Sequence, residues 1–209
     1  RDVLGSRGLG DVYKRQGSGC VDNNMAAYTQ SLDGTNSACT FYFDRFYAAI
    51  NWCNTAIFHA QTVPNPSNDE ILATTLNKRE AEARVLRTFY YWILTETFGD
   101  TYYTDQPSTS IVMNPVKTST DNIYQYMFDD LDWAIKSKLS TLQNDGGRVT
   151  IWTAKALKAR LLLTRASEKN DVDMYGQAYD LAKDVIENGP FEFCLLYTSP
   201  SPRDPKTSR

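Results

Sequence analysis

Aromatic side chains are the most conspicuous chemical resource of this 209-residue sequence: four tryptophans (Trp52, Trp92, Trp133 and Trp152) and thirteen tyrosines. A flat apolar ring with a polar tip offers a face on which a sugar ring can stack and an edge that can hydrogen-bond. Eleven of the thirteen tyrosines lie within residues 17–193. Rings on helical stripes, such as Tyr90 and Trp92, read as packing between helices. Tyr102 and Tyr103, in a long loop, and Tyr28 and Tyr42, near the first helix, are the candidate ligand-binding side chains.

Residue types that do covalent or acid–base chemistry are present without the spacing that chemistry needs. The single histidine, His59, excludes a multi-histidine metal site and has no nucleophile or carboxylate in a catalytic pattern beside it. Asp129-Asp130-x-Asp132 begins like a calcium loop, but the sixth position is Ala134 where glycine is needed. Glu80/Glu82 and Asp171/Asp173 are two apart, which on a helix sends them to different faces. These patterns imply no catalytic residues, no metal and no cofactor. Three of the four cysteines, Cys20, Cys39 and Cys53, lie within residues 17–193; this odd set has no metal-type spacing and reads as thiols.

The two ends stand apart. Back-translating residues 194–204 and reading the reverse complement in a shifted frame yields residues 6–15, and Gln16 fits the next codon. Two protein segments have no physical reason to be reverse-complement images. The nucleotide string resembles a transposase-type sequencing adapter, so residues 1–16 and 194–209 are expected to be adapter-derived and to make few core contacts. Gly17-Ser18-Gly19-Cys20 then loses its look of a lipidation site, which needs an apolar run ahead of it.

Of the 22 basic and 25 acidic residues, 15 and 22 fall within 17–193, a net charge of −7 against −3 for the whole. That excludes a nucleic-acid-wrapping surface and weakly favours a neutral ligand over a polyanion. Mean hydropathy is −0.46, and no run of about 18 apolar residues is long enough to span a bilayer.

The elements that must position the aromatics follow from apolar spacing. Residues 17–40 read as loop, with a short helix at Met25–Gln30. Phe46, Ile50, Cys53 and Ile57 mark a helix over Phe41–Gln61, stopped by Pro64 and Pro66. Ser67 or Asn68 can cap a second, whose stripe is Leu72, Leu76, Ala83, Leu86, Tyr90 and Ile93, with Glu80 and Arg84 paired across one turn. Gly99 ends it, and a long loop follows over 99–118. Ser119 or Thr120 opens a third helix with Ile123, Met127, Leu131 and Ile135 inward; Asp129, Asp130 and Asp132 line its solvated side. After an Asn144-Asp145-Gly146-Gly147 turn, Thr150 caps a fourth with Ala154, Leu157 and Leu161 inward. Asp171 or Asp173 opens a fifth, carrying Tyr175, Ala178, Ala182 and Val185 and closed by Gly189-Pro190. Phe191-Glu192-Phe193 alternates like the start of a strand. The class is all-α: about five helices in tetratricopeptide-like antiparallel pairs with long loops, cut from a longer domain.

The densest signal is Glu82-Ala-Arg-Val-Leu-Arg-Thr-Phe-Tyr-Tyr-Trp-Ile-Leu-Thr-Glu-Thr-Phe-Gly-Asp100, which resembles the E-A-R-x-L-R…F-G-D segment of the SusD/RagB family. Phe46–Asn54 resembles that family's Y-x-x-I-x-x-x-N helix, and Ile123–Ala134 its I-Y…D-L-x-x-A helix. Gly147-Arg148-Val149-Thr150 with Ala154, Ala156, Leu157, Ala159, Arg160 and Leu161 resembles its G-R-x-T element. Tyr179 and Val185–Gly189 resemble the helix after it. Thr101-Tyr102-Tyr103 departs from the apolar residue and proline that usually follow F-G-D. The resemblance covers about 41–193.

It implies that residues 17–193 are a partial SusD-like N-terminal helical domain. By resemblance, the protein would be the non-catalytic glycan- or nutrient-binding component of a TonB-dependent uptake system in Bacteroidota. Its partners would be a SusC-like transporter and an oligo- or polysaccharide. It would sit on the external face of the outer membrane through a lipid anchor missing from this sequence. The alternative is a helical-repeat module that binds only protein.

Overall fold

The computed structural model describes residues 36–65, 68–110, 112–137, 139 and 147–191. Residues 17–35 with Tyr28, both terminal segments, Asn144–Gly146 and Glu192–Phe193 lie outside the described residues.

Asn36 opens the first helix. Its side-chain oxygen accepts from the Ala38 and Cys39 amides at 2.9 and 3.4 Å, two of the donors that a helix start leaves unpaired. Helix α1 therefore runs Ser37–Thr62, starting ahead of Phe41, because a cap and not the first apolar residue sets the boundary. Helix α2 runs Glu70–Phe98, capped by Asp69 and not by Asn68; Ser67, the other expected cap, lies outside the described residues. Asn68 takes a left-handed turn (φ 49°), which leaves Asp69 extended and its carboxylate on the Ile71 and Leu72 amides. Gly99, at φ 71°, ends α2 as expected.

Ser119 caps α3, Thr120–Lys136. Thr150 caps α4, Ile151–Lys169, through a reciprocal pair with Thr153. Asp171 caps α5, Val172–Asn188. Asn170, left-handed at φ 53°, turns the chain between these last two helices.

Each helix packs chiefly on its neighbours in sequence, α1 on α2, α2 on α3, α3 on α4 and α4 on α5. The described residues thus form an all-α, tetratricopeptide-like succession of helices. One isolated antiparallel bridge, Thr101–Thr118, closes the base of the long loop.

The core gathers Ile50 from α1, Val85, Tyr91 and Leu94 from α2, Ile123, Met127 and Leu131 from α3, and Ala154 and Leu161 from α4. Among the described residues, helix α5 adds only Ala178 to the buried set, and its Tyr175 is exposed. On α2 the buried face is rotated slightly from the stripe read in the sequence. Leu86 is exposed, while Ala81, Val85, Thr88, Tyr91 and Leu94 are buried. The larger correction is Asp130, which does not line a solvated side: it is buried at 6% exposure. A guanidinium from α2 explains it.

Candidate functional site

Helix α2 carries Arg87 on its buried face, and Arg87 forks onto Asp130 of α3. Its Nε donates to Oδ2 and its Nη2 to Oδ1, both at 2.8 Å. Arg84 adds a third hydrogen bond to Asp130 (2.7 Å) and bridges Glu80 one turn back (2.7 Å). Such a bidentate pair is among the strong hydrogen bonds. Arg87 could not stay buried as a charge without Asp130.

The network then reaches the long loop. Arg87 Nη1 donates to Asn54 Oδ1 on α1 at 2.8 Å. The Asn54 amide donates onward to the Thr104 and Gln106 carbonyls at 3.0 and 3.1 Å. Tyr91 Oη both donates to the Thr104 carbonyl and accepts from the Thr104 amide. Asn51 accepts from the Ser108 amide at 2.7 Å, and Asp100 accepts from the amide and hydroxyl of Thr120. The loop is therefore fastened by side chains from α1 and α2 and at its own base.

A second cluster joins α2 to the segment before α4. The Glu82 carboxylate accepts from Arg148 Nε (2.9 Å) and Nη2, and from Arg79 Nη1. Burial alone would raise the Glu82 pKa; the hydrogen bonds and charges of Arg148 and Arg79 outweigh it and hold the carboxyl below the ordinary glutamate range. Asn54, Glu82, Arg84, Arg87, Asp130 and Arg148 all fall within the segments that carried the SusD/RagB resemblance. Those separate segments meet in these two clusters.

The sequence-derived ligand candidates occupy unlike settings. Tyr103 lies between Tyr91 and Tyr126, with ring centroids 4.9 and 4.4 Å away. Burial pushes its phenol up to about 12. Tyr102 is half-buried, and its carbonyl accepts from the Tyr47 hydroxyl at 2.7 Å. Tyr42, 39% exposed, stacks on Phe46 at 6.0 Å and borders an apolar recess of about 190 Å³ with Cys39, Ile93 and Phe98. Phe98 is also met by Phe43, which packs on Tyr47. Ring contacts thus run from Phe98 through Phe43 to Tyr47, whose hydroxyl holds the loop, while Tyr42 borders an open recess and Tyr103 is packed between two other rings.

The residues that fix the loop, Asn51, Asn54, Arg87 and Asp130, were not candidates in the sequence reading. His59 is on the exposed side of α1. Among the described residues no helix is long and apolar enough to cross a membrane.

Residues 13–192 match the SusD-like family described as starch-binding and associating with the outer membrane. The chain belongs to the SusD-like family. A SusD-like protein of Bacteroides ovatus is 29% identical over 183 residues, which cover 85% of this chain and 31% of the relative. A crystal structure determined with xylogluco-oligosaccharide superposes with a TM-score of 0.68 at 25% identity, over 78% of this chain and 32% of that one. A SusD superfamily protein from Parabacteroides distasonis ATCC 8503 gives 0.66 at 25% identity, over 73% and 32%. This SusD-like chain therefore spans about a third of the length of the relatives it matches.

Proposed function

We propose that residues 17–193 form the N-terminal helical part of a longer SusD-like protein that binds glycan, without catalysis, for a TonB-dependent transporter of the outer membrane. The observation that carries this is the family match over 13–192, a family described by starch binding and outer-membrane association. It spans nearly the same residues as 17–193.

The non-catalytic reading draws on how the buried carboxylates are held. Glu80, Glu82 and Asp130 are each engaged by a guanidinium and tie one part of the fold to another, so none of them stands ready to face a substrate. Tyr42, Tyr102, Tyr103 and Tyr28 remain the proposed ligand-facing aromatics. Tyr42 is the one whose exposed ring is suited to direct stacking, and Tyr102 and Tyr103 would act by shaping the loop. A SusC-like transporter is the proposed protein partner, and the external face of the outer membrane the proposed location.

Affinity electrophoresis of the full-length protein through a panel of neutral glycans tests the reading. Retardation by at least one glycan, weakened in Tyr42→Ala, is the expected result. Free migration through every glycan would instead favour a purely protein-binding helical module. Co-purification of a TonB-dependent transporter with the protein from outer membranes tests the partnership. Amplification of source DNA outward from 17–193 tests the end segments, and recovery of the same two end sequences from genomic DNA would defeat the adapter reading.

A further inference from the structure

We propose that the groove around Trp52, between α1 and α2, is a second carbohydrate subsite, one that takes a sugar bearing a carboxylate. The inference rests on the glycan-binding reading above and adds a place and a charge to it.

Trp52 differs from the other three tryptophans. Trp92, Trp133 and Trp152 each carry a cation over the ring: Arg160 at 4.9 Å, Arg84 at 4.6 Å and Lys155 at 4.7 Å. Trp52 is 70% exposed, and among the described residues neither a ring nor a cation stacks on it. Most of its large apolar face is open to solvent, which is the condition of an aromatic kept for a ligand.

The ground beside that ring is cleared by small side chains. Ala49 and Ala56 on α1 and Ala83 on α2 line a recess of about 340 Å³, within the size range of small-molecule sites. It shares no lining residue with the apolar recess at Tyr42, so the two are separate places.

Charge selects the ligand. The recess is lined by two cations, Arg79 and Arg148, and one anion, Glu82. Both guanidinium groups meet the same carboxylate, yet they remain 44% and 42% exposed while Glu82 is 8% exposed. The buried anion thus holds two half-exposed cations at the groove, and the lining is net positive in a chain of net charge −3. A planar guanidinium matches a carboxylate in geometry as well as sign. An indole face beside a cationic pair suits a pyranose ring whose exocyclic group is a carboxylate, that is, a uronic acid residue. A neutral sugar offers these guanidinium groups no carboxylate, so it is not the ligand this groove selects.

Calorimetric titration of the full-length protein with an oligogalacturonate, and separately with a neutral xylogluco-oligosaccharide, tests this. Trp52→Ala removes an exposed ring, and Arg79→Gln leaves Arg148 on Glu82, so circular dichroism should be unchanged in both. The expected result is oligogalacturonate binding that quenches tryptophan fluorescence, weakens about tenfold or more in either variant, and weakens with added NaCl. Binding of the neutral oligosaccharide should be insensitive to all three changes. Oligogalacturonate affinity unchanged in Trp52→Ala overturns the subsite. So does binding of a neutral glycan with no detectable oligogalacturonate binding, while leaving the glycan-binding function standing. Failure of every glycan, neutral or acidic, overturns both readings.

Discussion

Charges are used in opposite ways at the two ends of this helical succession. Around α1, α2 and α3 they are inside: Arg87 and Asp130 are each under a tenth exposed and hold one another, Asn54 and the 99–118 loop. On α5 the pair made along the helix itself is outside. Lys183 and Glu187 are more than half-exposed or nearly so and stand 3.9 Å apart along one helix face, and only Ala178 of that helix is buried. The two ion pairs therefore have different physical roles. The interior pair positions a loop and cannot lose one partner cheaply. The surface pair is a solvated ornament of a helix whose apolar side chains Val172, Tyr179 and Ile186 stay largely exposed.

The largest effect should come from breaking the interior pair. Arg87→Leu leaves Asp130 with Arg84 alone and strips Asn54 of its donor. The expected cost is about 3–5 kcal/mol in urea denaturation, the range for removing one partner of a buried pair. Proteolytic cleavage within 104–110 should accelerate in the same variant, because the loop loses the Arg87–Asn54 anchor. A cost below about 1 kcal/mol would mean that the buried charges are solvated in solution and the contrast fails.

The junction between the two regions should respond to acid. Because the folded pKa of Glu82 is depressed, its contribution is complete above the unfolded-state glutamate value. It is lost as pH falls through the lower folded value. Glu82→Gln should destabilise the chain at neutral pH, by less than Arg87→Leu, and flatten the acid limb of the stability curve below the ordinary glutamate range. An acid limb identical to that of the parent chain would show that Arg148 and Arg79 do not favour the ionised form.

Much of the architecture was legible in the sequence because its signals are local. Gly99, Ser119, Thr150 and Asp171 act within a turn of themselves, and Glu80–Arg84 pair as their spacing requires. The two misplaced helix starts, at Asn36 and Asp69, are cases where several neighbouring residues could cap equally well and backbone conformation decided. The site was much less legible. Asp130 looked solvated because it sits in an acidic triplet, and its partner lies 43 residues away. One sign was available. Asp130 falls three residues after Met127 and seven after Ile123, on the apolar stripe, just as Arg87 falls between Ala83 and Tyr91 on its own. A charged residue on each of two apolar stripes is the pattern of an interhelical buried pair. Trp52 carried no such sign, since its exposure depends on which alanines surround it.

A milder break lies at the start of α4. Thr150→Ala removes the hydroxyl that receives the Thr153 amide, and the expected loss is about 1 kcal/mol. It should fall on the α4–α5 pair, so amide exchange should rise there and not in α1 or α2. Uniform acceleration would show that the two regions unfold as one unit.

The smallest effect tests the surface side of the contrast. In Lys183→Gln the Glu187 carboxylate stays in water, where solvent replaces the lost partner and salt already screens the attraction. Exposed pairs one helical turn apart contribute about 0.3–0.5 kcal/mol, so the urea midpoint should barely move and should not move at all in high salt. If Lys183→Gln instead cost as much as Arg87→Leu, Glu187 could not be solvated. The exposed flank of α5 would then have to be covered in solution, and the difference between the two regions would belong to the isolated segment and not to the folded protein.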